Sequence, residues 1–287
     1  MKLATLMVFL AAGAAAQSLT GAIDVHAHAD PDGSARSIDA IDLAKLAKSR
    51  GMRAIVLKNH FEPTAAVAYL VRKEVPGIEV FGGISLDLTV GGVNPAAVEW
   101  MTKVKGGYGR MVWMPTFDSE HQVTTSGDKR PFASVARNGK LLAETEQVIS
   151  IIARNKLVLA TGHSSPAEAL LLIREAKRQG VAGVIVTHAT NQFVGMSVAE
   201  MKEAAQLGAF LEFVWVRPGS AAMRSAAEAI RAVGPASIVL SSDLGQANNP
   251  LHPDGLLSFY QELMKLGITE AEINQMAKAN PAKLLGL

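Results

Sequence analysis

The chain has no cysteine among its 287 residues. Disulfide frameworks, thiolate nucleophiles and cysteine-type zinc sites are thereby excluded. Any metal here must be held by histidine, carboxylate or a modified side chain. Excess charge is missing too. The formal charge is +2, charged residues make up 19% of the chain, and no long basic run occurs. A phosphate-tracking surface is therefore not encoded, which argues against nucleic acid as a partner. Acidic tails and polybasic membrane patches are absent on the same grounds.

A membrane-spanning run is also lacking. The N-terminal apolar stretch, Leu3 to Leu10, is too short to cross a bilayer comfortably. Lys2 precedes it and Ala14-Ala15-Ala16 follows it. That pattern reads as a signal peptide over residues 1–16, cleaved near Ala16, with an exported domain over 17–287 and no membrane contact in the mature form. A bacterial periplasm is the expected compartment, and a buried N-terminal helix is the plainer alternative.

What is present is a core and an alternation. Hydrophobic residues make up 49% of the chain, enough for one large α/β domain or two small ones. Short apolar runs at 23–28, 54–57, 79–87, 110–116, 157–161, 183–187, 209–215 and 237–240 read as strands. They are continuous rather than alternating, as expected of parallel strands buried on both faces. Helical patterns follow each run. Three open on capping boxes, Ser165 to Glu168, Ser197 to Glu200 and Thr269 to Glu272. The last of these helices is expected to run to Asn280, and the one before it to start at Gly255. Eight βα units predict a single-domain (β/α)8 TIM barrel. A doubly wound open sheet would need a glycine-rich phosphate turn after strand one, and His-Ala-His-Ala-Asp stands there instead.

The connection after strand four, residues 117–141, is long. It carries His121, the Asp128-Lys129-Arg130 cluster and an Asn138-Gly139 hairpin turn. Loops of this length are usually functional, so a lid is expected, against a solvated surface insertion.

In such a barrel the C-terminal strand ends meet on one face. His26 and His28 end strand one, Lys58 and His60 strand two, His163 strand five, His188 strand six and Asp243 strand eight. Side chains two apart on a strand share a face, about 6.5–7 Å apart, so His26 and His28 can chelate one ion. Five of the seven histidines converge on this rim. A histidine cluster is costly unless a cation neutralises it, and a His and carboxylate set suits zinc, manganese or iron.

Asp24-Val25-His26-Ala27-His28, His163, His188 and Ser242-Asp243, with the tail Asn280 to Leu287, resemble the amidohydrolase superfamily of metal-dependent hydrolases. The resemblance implies a divalent metal held by His26, His28, His163, His188 and Asp243, with Asp243 moving protons. It is closest to an uncharacterised group and carries no named substrate. One departure stands out. The carboxylated lysine of two-metal members would fall on strand four, where this chain has Trp113-Met114-Pro115-Thr116. Lys58 is the nearest substitute as a metal ligand. Its alternatives are an ammonium that polarises a substrate oxygen, or a salt-bridge partner of Glu212. One or two ions per chain are therefore expected.

His60, facing the same interior as Lys58, is expected either to stabilise an oxyanion or to hold Lys58 in place. Trp113, Trp215 and Arg217 are candidates for substrate contact, with core packing the alternative for both tryptophans. His252 is placed in a loop without a role. The expected activity is hydrolysis of a small-molecule amide, lactone or ester by a metal-activated water. The rivals are a mononuclear decarboxylase of an aromatic acid and a non-catalytic exported metal- or solute-binding protein. The chain is compatible with a homo-oligomer.

Overall fold

The structure, a computed structural model, describes residues 18–287. The signal peptide expected over residues 1–16 lies outside the described residues. In chain order the elements begin β1 (Ile23–Ala27), α1 (Ala40–Ser49), β2 (Ala54–Leu57), α2 (Ala65–Glu74), β3 (Glu79–Ser85), α3 (Pro95–Thr102) and β4 (Gly109–Trp113). A long connection holds α4 (Glu120–Thr125), β5 (Ala136–Arg137) and β6 (Lys140–Leu141). The alternation then resumes with α5 (Ala143–Arg154), β7 (Val158–Ala160), α6 (Pro166–Arg178), β8 (Gly183–Val186), α7 (Val198–Gln206) and β9 (Phe210–Val214). It closes with α8 (Ala221–Val233), β10 (Ile238–Ser241), α9 (His252–Lys265), α10 (Glu270–Asn274) and α11 (Asn280–Leu285).

Eight strands form one parallel sheet in the order β1-β2-β3-β4-β7-β8-β9-β10. Its two edges meet at their C-terminal ends. Ala27 bridges Leu244, His28 N donates to Leu244 O at 2.9 Å, and Asp243 N donates to His26 O at 2.8 Å. The sheet is thus a nearly closed TIM barrel with helices outside it, as the alternation predicts.

Two apolar layers explain the strand composition. Outward residues pack under the helices. Inward ones, among them Ile23, Val25, Val56, Phe81, Met111, Trp113, Val158, Ile185 and Val239, fill the interior, and Leu284 and Leu285 of α11 join them. Burying one such side chain is worth about 1.5–3 kcal/mol, so the interior is a packed core and chemistry is confined to the rim.

Local chemistry sets the helix starts. Asp39 accepts from Ile41 N and Asp42 N to cap α1. Ser165, Ser197 and Thr269 form the three expected capping boxes, each worth about 1 kcal/mol.

Two expectations need correction. The last helix does not run unbroken to Asn280. It ends at Asn274 and passes through a π-helical turn, Gln275–Ala279, before α11. Pro281 cannot donate to the helix ladder, and the wider turn absorbs that loss. The preceding helix starts at His252 rather than Gly255, because Pro253 is accommodated in its first turn. The long connection is ordered. It holds α4, capped by Ser119 accepting from Gln122 N at 3.1 Å, and the expected hairpin, whose turn residues Asn138 and Gly139 both have positive φ.

Candidate metal centre

The seven side chains expected at the strand ends all reach the rim. Five imidazoles form a closed circuit there. Ring centroids are 5.2 Å apart for His26 and His28, 5.0 Å for His28 and His60, and 6.1 Å for His60 and His163. His163 and His188 follow at 4.8 Å, and His188 and His26 close the circuit at 6.0 Å. Asp243 enters from β10. Its Oδ1 lies 3.1 Å from His26 Nε2 and 3.2 Å from His28 Nε2. Ligand atoms of His26, His28 and Asp243 all lie within 4.8 Å of one another.

The ring orientations are imposed from below. His26 Nδ1 donates to Glu212 Oε1 at 3.1 Å, which turns Nε2 toward Asp243. The same carboxylate accepts from His188 N at 2.8 Å and from Ser241 Oγ at 2.6 Å. One buried glutamate on β9 therefore fixes three neighbouring strand ends. Asp24 does similar work, its Oδ1 accepting from His26 N at 3.1 Å and Ser242 N at 3.0 Å. Burial pushes the Asp24 carboxyl up to about 6.

Backbone strain marks the same places. His188 and Asp243 adopt φ of 24° and 51°, in the left-handed region that costs a non-glycine residue on the order of 1–3 kcal/mol. Both are pinned by backbone donors, His188 N to Glu212 and Asp243 N to His26 O.

A metal fits this donor set. His26 Nε2 is buried and has no hydrogen-bond partner, although Asp243 lies beside it. Burial acts against a charge on His26, but Asp243 and then Glu212 raise it to about 9. A proton thus stands in for a cation between two carboxylates. Burial also opposes ionisation of Asp243, yet His26 and His28 hold its carboxyl well below the usual range. The remaining imidazoles are kept neutral. Burial, then Lys58, lowers His28 and His60, while burial, then His188, lowers His163. Burial outweighs Asp243 and Glu212 to lower His188 as well. His188 Nε2 and His163 Nε2 face each other at 3.0 Å, a contact that two lone pairs sustain only with a proton or a cation between them.

Lys58 is 1% exposed and lies beside His60, with Nζ 3.2 Å and 3.5 Å from its ring nitrogens. Burial lowers its ammonium to about 8. The expected alternative of a Lys58–Glu212 salt bridge is not formed, because Glu212 spends its oxygens on His26, His188 and Ser241. Trp113 is not a substrate contact. It packs in the barrel interior under His26, ring centroids 6.1 Å apart. Trp215 Nε1 donates to Ser258 Oγ at 3.2 Å, and Arg217 is exposed. His121 faces an outer groove with Arg137, Asn138 and Glu168 that contains none of the five imidazoles. His252 sits in the first turn of α9, buried, with no hydrogen-bond partner for either ring nitrogen.

Four contributors escape sequence reasoning. Gln122 on α4 accepts through Oε1 from His163 Nδ1, and Ser119 Oγ donates to His163 O at 3.0 Å. The connection after β4 thus grips a rim histidine, and Ser119-x-x-Gln122 was a readable helix start. Asp87 and Thr116 form the third contact. Asp87 accepts from Thr116 N at 2.8 Å, Thr116 Oγ1 at 2.5 Å and Asp118 N at 2.8 Å, and His60 Nδ1 lies 2.8 Å from Thr116 Oγ1. No local pattern announces that bond between strand ends.

The fold is shared with solved structures. An amidohydrolase from Pseudomonas aeruginosa is 11% identical with a TM-score of 0.62, the match covering 93% of this chain and 97% of that one. An amidohydrolase from Burkholderia multivorans with bound zinc is 14% identical with a TM-score of 0.60, over 93% and 99%. A 2,6-dihydroxybenzoate decarboxylase from Rhizobium is 13% identical with a TM-score of 0.55, over 93% and 99%. At these identities the likeness establishes the barrel. No curated protein matches the sequence. A model described as a family of unknown function, DUF6282, matches residues 21–212.

Proposed function

Because the chain belongs to DUF6282, a family of unknown function, its activity is read from the rim: we propose a metal-dependent hydrolase of a small-molecule amide, lactone or ester. The observation that carries this reading is the circuit of four buried imidazoles and the half-buried His60 around one carboxylate, with His26 Nε2 unsatisfied. Such a set costs the fold too much to persist as packing alone. The zinc-bound Burkholderia barrel lends support to zinc as the ion.

His26, His28 and Asp243 would hold the ion, and His163 and His188 offer further nitrogen donors on the adjoining wall. A divalent ion there supplies Lewis acidity, which lowers the pKa of water toward neutrality and polarises a substrate oxygen. With such an ion bound, the Asp243 carboxylate would accept a proton and return it to the leaving group. Glu212 keeps His26 in the Nδ1–H tautomer, so its Nε2 lone pair stays free. His60, neutral and fixed by Thr116, faces the substrate side with Lys58, which we read as an ammonium that polarises a substrate oxygen. One ion per chain follows from that role. Two would place Lys58 among the ligands.

The apolar leader over residues 1–16 supports export to a periplasm, and intact mass of protein from that fraction, starting near Gln17, tests it. Turnover of chromogenic esters, lactones and anilides by zinc-loaded protein tests the activity. Hydrolysis lost on chelation and restored by zinc is the expected result. Carbon dioxide release from an aromatic acid without hydrolysis of any of them would replace this reading with decarboxylation.

A further inference from the structure

Among the described residues, Lys58 is the one rim charge without a counter-charge in contact. Its side chain is 1% exposed, and among the described residues no carboxylate forms an ion pair with it. The nearest acids are already engaged. Asp243 faces His26 and His28, and Asp87 receives three donors.

Proton accounting shows what Lys58 has left. The Thr116 hydroxyl donates to Asp87, so its oxygen accepts from His60 Nδ1. His60 then keeps one lone pair, on Nε2. An ammonium carries three N–H donors. At most one goes to His60, and two are left without a protein partner on a side chain that is 1% exposed. An unsatisfied buried donor on a charged group costs more than a neutral one. A cation loaded on the adjoining ligands raises the demand for negative charge further.

Above Lys58 the walls change character. Phe61 and Phe117 meet edge to face with centroids 5.6 Å apart, and lie 6.0 Å and 6.2 Å from the His60 ring. Phe193 stacks on His163 at 5.4 Å with an interplanar angle of 12°. Phe117 is 40% exposed despite these neighbours. Three phenylalanines from three different strand ends thus line the rim imidazoles, two beside His60, which Lys58 touches, and one beside His163.

We infer that the substrate is a small organic carboxylate with a flat apolar body, its carboxylate seated on Lys58 and its body between the phenylalanines. A carboxylate presents two oxygens to the two unspent donors, and the phenylalanines offer apolar faces and no hydrogen bonds. Sugars and peptides, which need many polar partners, are disfavoured by that wall. This inference rests on the hydrolase reading of the rim and deepens it by naming the substrate class.

The test is calorimetric titration of zinc-loaded protein with benzoate and with benzamide, which keeps the ring and lacks the charge. Lys58→Met is titrated in the same way, and zinc per chain is measured in every sample. Benzoate is expected to bind wild-type protein about tenfold tighter than benzamide or better, as a pair of charge-assisted hydrogen bonds requires. Lys58→Met is expected to keep its zinc and lose that preference. Equal affinity for the two probes in wild type overturns the inference. So does undiminished benzoate binding by Lys58→Met, which assigns the carboxylate to the metal, and so does loss of zinc from that variant, which makes Lys58 a ligand. Should Lys58→Met fail to fold, the wild-type comparison decides alone and Lys58→Gln repeats the variant arm. Wild-type zinc content is read first, so failure of the metal reading is distinguishable from failure of this one.

Discussion

At the scale of single residues, Asp243 and Glu212 have separable tasks. Asp243 faces two imidazoles from a strained backbone position, which suits a group that moves a proton. Asp243→Asn keeps the shape and removes the base. With zinc in excess we expect His26, His28 and the amide oxygen to keep the metal, and turnover to fall by about 10²–10⁴-fold, the usual worth of acid–base assistance. Normal turnover would end the role assigned here. Glu212 never faces the substrate side, yet it orients His26 and anchors His188 and Ser241. Glu212→Gln is expected to weaken zinc affinity by about 10–100-fold in chelator competition, with little change in secondary structure. Unchanged affinity would reduce Glu212 to packing.

Elements carry the next set of constraints. The turn after β10 brings Gly245 against β1, at φ 130°, where a Cβ would lie 2.3 Å from His28 O and 2.7 Å from His28 Cβ. No rotamer relieves a clash with backbone. Gly245→Ala is expected to cost on the order of 1–3 kcal/mol and to loosen zinc, because the displaced residue, His28, is a proposed ligand. Thermal melting with and without zinc reads both effects, and a wild-type zinc-induced shift would count against His28 as a ligand.

The connection after β4 shows how far local pattern reaches. Its hairpin was legible from Asn138-Gly139, since that turn needs two positive φ values. Helix α4 carried a legible cap, but Gly127 and Pro131 close by read as loop. The reach of Gln122 to His163 depends on how the connection folds back, which no spacing encodes. The Asp87–Thr116–His60 chain was invisible for the same reason, joining ends of β2, β3 and β4 that are far apart in sequence.

For the whole molecule, the barrel and its rim were readable because both rest on periodicity. Continuous apolar runs gave the strands, and residues at their ends had to meet once the sheet closed. Parity placed Glu212 inward and offered Lys58 as its partner. The structure decides for His26. Trp113 was open between substrate contact and core packing, and its depth in the barrel makes it core.

The crowd of buried histidines also sets the pH response. His28, His60, His163, His188 and His252 have folded pKa values lowered by burial, His252 to about 4. Above the unfolded value of 6.5 such a group is neutral in both states and contributes nothing. As pH falls below 6.5 the unfolded chain takes up the proton first, and stability is lost. For His252 alone the loss by pH 4 is about 3 kcal/mol. His26 has the opposite sign. Raised to about 9, it stabilises metal-free protein below 6.5, and that contribution fades as pH climbs toward 9. Urea unfolding of chelated protein should therefore show highest stability near neutrality, a steep acid limb, and a shallower limb in His252→Leu. A limb unchanged by that substitution would show that His252 does not titrate as a buried group.

The central claim is that this rim holds a divalent ion, and elemental analysis of the purified protein with metal counted per chain tests it most directly. The account predicts one equivalent of a divalent metal, zinc first, retained through dialysis and absent from a His26→Ala/His28→Ala double variant that still folds. No metal on wild-type protein after incubation with zinc, or equal metal on the double variant, would contradict it.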